Sequence, residues 1–305
     1  MYDIIVIGGG PAGMTAALYG LRNGKTVLVL EKHGFGGQIT YSPRVENIPG
    51  TQVISGNEFA DHYFDQIMFQ GAEVELEEAV GIRCEGDIRI VDTLEGSHFE
   101  GKTVVIATGV KHRMLGLEGE NELVGEGISF CAVCDGDFYK GKKVCVAGGG
   151  NSALQEAILL ADKASEVVLL QDMDFFTGEK KLQDTLFSKP NVKGITGTKL
   201  LSLVTENGNL KGIAYEKVAS GEKRIESCDG LFVAIGLIPE NDAFKELCDL
   251  NSYGYFDSAE DCVTKTPGVF VAGDCRSKRV RQVTTACADG AIAALAACNY
   301  INNVI

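Results

Sequence analysis

The chain has 305 residues, a hydrophobic fraction of 45% and a formal net charge of −14. That length suits two domains of ordinary size, and that apolar content excludes a disordered chain. The acidic balance excludes nucleic acid as the main partner, because phosphate binding needs a basic face.

No run of eighteen apolar residues and no charged-then-apolar leader is present, and Met1 leads at once into Tyr2-Asp3-Ile4-Ile5-Val6-Ile7, a strand pattern. The expectation is a soluble, unexported, cytoplasmic protein with no membrane partner. In such a compartment ten cysteines stay reduced, so any working disulfide is transient and catalytic.

In chain order, Asp3 to Ile7 reads as a buried parallel strand. It runs into Gly8-Gly9-Gly10-Pro11-Ala12-Gly13 and then a helix opening at Met14. A second strand, Thr26 to Leu30, ends in Glu31. Glycines at this spacing permit a tight turn and close approach to a pyrophosphate at the helix N-terminus, and Glu31 is placed for a ribose hydroxyl pair. Gly36-Gly37-Gln38 and Val45-Glu46-Asn47-Ile48-Pro49-Gly50 read as turns, and Gly56 to Phe69 as a helix by apolar spacing. Glu73, Glu75 and Glu77 alternate with Val74 and Leu76, the solvated face of a strand rather than a metal site. Val104 to Gly109 is a further buried strand ending in a small-residue turn, followed by a polar, glycine-containing linker over 110–128.

The next stretch is Phe130-Cys131-Ala132-Val133-Cys134-Asp135-Gly136. Two cysteines at this spacing can close a small disulfide ring, and in a first helical turn one thiol becomes acidic enough for exchange. Structural zinc needs four ligands, and no other pair among the ten cysteines has this spacing. A redox dithiol is the preferred reading, with no metal. Lys143 to Ala147 and Gly148-Gly149-Gly150-Asn151-Ser152-Ala153 then repeat the strand–glycine turn–helix unit. The predicted fold is α/β, with two Rossmann-like nucleotide-binding domains of the three-layer ββα kind, the second inserted in the first. Gly268 to Asp274, Arg281-Gln282 and a small-residue helix from about Thr284 to Tyr300 complete the first domain. Its expected segments are 1–112 and 243–305, with 113–242 as the insert. Cys275, Cys287 and Cys298 read as small packing residues.

Gly8 to Gly13, Gly37-Gln38, Glu46 to Gly50, Cys131 to Gly136, Gly273-Asp274 and Arg281-Gln282 stand in the order of the low-molecular-weight thioredoxin reductases. The chain resembles that family over nearly its whole length. The resemblance implies FAD in the discontinuous domain, a redox disulfide on the insert, thioredoxin as partner and a homodimer. It implies that Gly8, Gly10 and Gly13 line the FAD pyrophosphate, with Pro11 and Ala12 beside them, and that Glu31 holds the adenosine ribose next to Lys32. Gln38 and Asn47 would lie near the isoalloxazine, Asp274 at the ribityl chain, and Gln282 at the pyrimidine edge with Arg281 and Val283. Gly37, Val80, Thr108 and Gly109 complete the implied FAD contacts. In the family Cys134 faces the flavin, Cys131 attacks the protein disulfide, and Asp135 resembles the proton donor.

One departure is informative. NADPH-using members carry a His-Arg-Arg run at the second strand end of the insert, which pairs with the 2′-phosphate. Here the stretch reads Val167 to Leu170, then Gln171-Asp172-Met173-Asp174-Phe175-Phe176-Thr177, with no cation. No intact NADPH site is expected, and the chain resembles at this point the ferredoxin-dependent flavin thioredoxin reductases. Phe175 and Phe176 are expected where a cofactor would need polar contacts. Arg276, Lys278, Arg279 and Arg281 are expected to form a cationic rim that steers an acidic ferredoxin. The leading expectation is therefore thioredoxin reduction with single electrons from ferredoxin. Still open are an NADH- or NADPH-dependent reductase, an oxygen-dependent dithiol oxidase, and a non-enzymatic redox sensor.

Overall fold

The structure, a computed structural model, describes residues 1–42 and 45–304. The chain forms two compact units: Met1–Thr40, Ile48–Lys111 and Ile238–Ile305 make one, and Tyr41–Asn47 with His112–Leu237 make the other. Against the segments expected from sequence, the inner unit takes up residues 41–47 and ends at Leu237.

The first unit is built on a parallel core sheet. Strand Tyr2–Ile7 lies between Val27–Leu30 and His98–Ile106, with Glu73–Glu75 outside Val27–Leu30. The return strand Val269–Val271 pairs in parallel with the far half of His98–Ile106. The near half pairs antiparallel with Ile88–Thr93, which in turn pairs with Ala79–Glu85. Alternation sorts the strand side chains onto two faces. Ile4 and Val6 face a helical layer that contributes Met14, Ala17, Ile67 and Ala294, whereas Ile5, Ile7, Leu28 and Leu30 face Ile82, Val91 and Phe256. The result is helix, sheet and second β layer in that order. Helix Pro11–Arg22 meets the closing helix Val283–Val304 through small residues, and a Cβ on Gly290 would overlap the Ala12 carbonyl.

The second unit repeats the plan. Five parallel strands run in the order Val192–Ile195, Glu166–Leu170, Lys143–Ala147, Gly230–Val233, Ile128–Ser129. Val144, Val146, Val167 and Leu169 face helix Asn151–Ala161 through Ala153, Leu154, Ala157 and Leu160. Cys145, Ala147, Val168 and Leu170 face Leu210, Ile213 and Tyr215 of a three-stranded antiparallel sheet, Thr198–Glu206, Asn209–Lys217 and Glu222–Ser227. The expected α/β class, with two Rossmann-like layers of the ββα kind, is what the chain adopts. Among the described residues no helix is long and apolar enough to cross a membrane, and no group of three or more ligating side chains could hold a metal.

Candidate active site

Each unit carries a set of chemically capable residues at the ends of its parallel strands. In the first unit the strand Tyr2–Ile7 stops at Gly8, whose φ of +110° favours glycine. A Cβ on Gly13 would overlap the Gly8 carbonyl, so the turn closes only without side chains there. Pro11 takes the first helical position, where its missing N–H costs no hydrogen bond. Glu31 Oε2 accepts the Gly9 amide at 2.7 Å and its Oε1 accepts the His33 amide at 3.0 Å. Gly37 packs backbone to backbone on Gly10, and Gln38 is exposed on the short 3-10 turn that follows. Val80 stands at a β-bulge between Ala79 and Gly81, a device that re-aims a side chain. Thr108 donates to Asn241 at 3.1 Å, ahead of Gly109. Lys32 is tied to Glu240 at 2.8 Å and Glu78 at 3.4 Å. Asn47 is exposed and belongs to the second unit.

Asp274 lies just past the return strand. Its Oδ1 is buried with no hydrogen-bond partner, and burial pushes its carboxyl up to about 6 against the pull of Lys278 and Arg281. A ribityl hydroxyl would supply the missing donor, so this set of residues fits the FAD that the resemblance implies. Arg281 donates to the Asp274 carbonyl at 3.5 Å and lays its guanidinium 4.4 Å from the Tyr255 ring centroid. Gln282 precedes Val283, where the closing helix begins, and its amide goes to Thr285 Oγ1 at 3.1 Å.

The expected cationic rim loses two of its four members. Arg276 and Lys278 both end on Asp289, at 2.8 and 2.9 Å, with side chains 8% and 9% exposed. The closing helix places Asp289 under that loop, and a buried carboxylate holds both cations away from solvent. Arg279 stays exposed.

In the second unit Cys131 and Cys134 are joined by a disulfide, with Cα atoms 5.3 Å apart. Cys131 caps the short helix Ala132–Asp135, and the Cys134 amide donates to the Cys131 sulfur at 3.1 Å. Asp135 is buried on the same short helix, its backbone N–H donating to the Cys131 carbonyl at 3.0 Å. One oxygen accepts the Ser129 hydroxyl at 2.6 Å and the other has no partner. Burial raises its carboxyl, with Ser129 opposing, so the group is suited to holding a proton beside a sulfur. Ser129 Oγ in turn accepts the Cys131 amide at 3.1 Å. Phe130 stacks on His112, ring centroids 4.3 Å apart. The spacing of the cysteines made the dithiol legible, but Ser129, Asn241, Asp289 and Glu156, whose carboxylate accepts the Ala132 amide, carried no sequence signal beyond ordinary polar residues.

The second glycine turn keeps its form. Gly148 has φ +128°, and Gln171 lies against Gly149 as Glu31 lies by Gly9. Of the two phenylalanines, Phe176 packs on Phe187 and Gly194 rather than over the turn, and Phe175 is exposed in a loop whose Thr177 and Gly178 both bond the Gly149 carbonyl.

Comparison with known proteins follows the same lines. A family model described as pyridine nucleotide-disulphide oxidoreductase matches residues 2–290. The chain is 40% identical to a 34.2 kDa protein in the rubredoxin operon of Clostridium pasteurianum, covering 98% of this chain and 97% of that one. It is 35% identical to a thioredoxin reductase of Bacillus subtilis, covering 100% and 96%. The fold superposes on a thioredoxin reductase from Streptococcus pyogenes with a TM-score of 0.93 at 36% identity, covering 99% of each chain. The chain belongs to the pyridine nucleotide-disulphide oxidoreductase family.

Proposed function

We propose that this protein is a thioredoxin reductase: a homodimeric flavoprotein that holds FAD at Gly8–Gly13, Glu31, Asp274 and Gln282 and reduces thioredoxin through Cys131 and Cys134. The observation that carries it is the disulfide with the half-satisfied, buried carboxyl of Asp135 on the same short helix. Bound FAD would supply two electrons to the enzyme disulfide. As that bond breaks, Asp135 donates its proton to one of the two sulfurs, and the Cys134 amide stabilises the remaining negative charge when it rests on Cys131. Cys131 then attacks the thioredoxin disulfide, forming a mixed disulfide and releasing one thiolate. Cys134 attacks the Cys131 sulfur, closes the enzyme disulfide and releases the second thiolate, so two electrons pass to thioredoxin; one released thiolate takes the proton that Asp135 gave to the enzyme dithiol and the other takes a proton from water.

Reduced ferredoxin is the proposed donor, two molecules each giving one electron. What supports it is the strand end at Leu170, followed by Gln171 and Asp172 with no cation over 167–177. A 2′-phosphate finds no partner in that stretch, and Asp172 repels it. NADH is the second reading, favoured by the preserved Gly148 turn and by Asp172, an acid one residue past Gln171.

The deciding measurement is anaerobic flavin bleaching by NADPH, NADH and reduced ferredoxin, each followed by thioredoxin. Rapid bleaching by ferredoxin alone is the expected result. Rapid bleaching by NADH transfers the donor role to that nucleotide, and bleaching by any donor without thioredoxin reduction sinks the function itself.

A further inference from the structure

Glu156 takes no part in the steps above, yet it touches the redox centre. It lies on helix Asn151–Ala161, which starts from the second glycine turn, and its Oε2 accepts the backbone N–H of Ala132. Ala132 is the first residue of the helix that Cys131 caps. The backbone donors of this turn are thus divided. The Cys134 amide goes to the Cys131 sulfur, the Cys131 amide to Ser129, and the Ala132 amide to a carboxylate from a different element. Burial raises the Glu156 carboxyl, the Ala132 amide opposes that rise, and Asp135 adds to it. The other charges nearby are Asp135 on the cysteine helix and Lys163, which is paired with Asp137 at 2.8 Å.

Amide donors and cations at such a turn acidify a thiol, and a carboxylate works the other way. Too acidic a Cys131 would leave easily and attack poorly, since nucleophilicity falls with thiol pKa. We propose that Glu156 is a positioning residue of the dithiol, fixing the turn through the Ala132 amide and keeping negative charge beside Cys131 so that its thiolate is less stabilised than the turn alone would make it. The inference rests on the dithiol reading above and reaches a property that reading leaves open.

The test uses the full-length flavoprotein carrying Cys134→Ser, so that Cys131 remains a free thiol, with and without Glu156→Gln or Glu156→Ala. Cys131 is alkylated with iodoacetamide across pH 5 to 9 and followed by peptide mass spectrometry. Glu156→Gln keeps an acceptor for Ala132 and removes the charge. Both variants should move the Cys131 titration to lower pH, raising alkylation on its acid limb by about threefold or more, given a tenfold change in thiolate per pKa unit. Curves that superimpose on the parent, or move to higher pH, overturn the proposal. If Glu156→Ala fails to fold, the near-isosteric Gln variant decides alone. Alkylation needs neither thioredoxin nor an electron donor. A shifted titration in a protein that does not reduce thioredoxin therefore upholds this inference while ending the functional one.

Discussion

Arg276 meets Asp289 through two hydrogen bonds, Nε to Oδ2 at 2.8 Å and a terminal nitrogen to Oδ1 at 2.9 Å. Lys278 shares Oδ2, and the Gly273 amide reaches the same oxygen at 3.1 Å. One carboxylate of the closing helix thereby pins the loop that carries Asp274. Burial disfavours its charge, but the two cations outweigh that cost and hold the Asp289 carboxyl below its ordinary range.

Asp289→Asn should therefore be severely destabilising, because it leaves the Arg276 guanidinium buried without its paired carboxylate and Lys278 with only Asp274 nearby. Breaking a buried ion pair from one side costs about 3–5 kcal/mol. Thermal melting should show a large fall, and FAD content after purification should drop because the Asp274 loop is released. Arg279→Glu, at an exposed position of the same loop, should leave both unchanged. An Asp289→Asn protein with parental melting temperature would show that the triad contributes little.

His112 gives a pH prediction. Burial against Phe130 lowers its imidazole from its ordinary 6.5 to about 4. A base lowered on folding contributes stability above its unfolded pKa and loses it as pH falls towards the folded value. His112→Phe keeps an aromatic ring for the stack and removes the proton site. The parent should lose up to roughly 3 kcal/mol more than this variant between pH 6.5 and pH 4. Urea unfolding at a series of pH values reads the difference, and parallel curves would remove His112 from the acid limb.

The dithiol prediction separates the two sulfurs from the acid. Cys131→Ser should retain FAD and its reduction yet lose thioredoxin reduction altogether, since the attacking thiol is gone. Asp135→Asn should retain both cysteines and slow turnover about a hundredfold, the ordinary worth of a positioned acid. Its stability should move the other way. A carboxyl raised by burial contributes stability below its unfolded pKa and loses it as pH rises through the folded value, so at pH 8 the Asn variant should melt higher than the parent. Normal turnover in Asp135→Asn would give the proton to another group, with Glu156, which accepts the Ala132 amide, the next to test.

The amino-acid sequence by itself determined the parts whose information is local. Helix Gly56–Phe69 follows from apolar spacing, the turn at Gly8 from what only glycine tolerates, and the dithiol from two cysteines at one spacing. Repetition of the strand–glycine turn–helix unit made the second fold legible from the first. What only the tertiary structure decided are encounters between residues distant in the chain. Arg276 and Lys278 look like a solvated basic loop until the closing helix brings Asp289 beneath them, and Phe176 looks like an obstruction until it packs on Phe187. Glu156, twenty-four positions after Ala132, reads as one more helix charge until its carboxylate closes on the cysteine turn. The physical reason is common to all three. A charge or ring has its meaning set by what desolvates and faces it, and that partner is chosen by packing across the fold rather than by its neighbours in sequence.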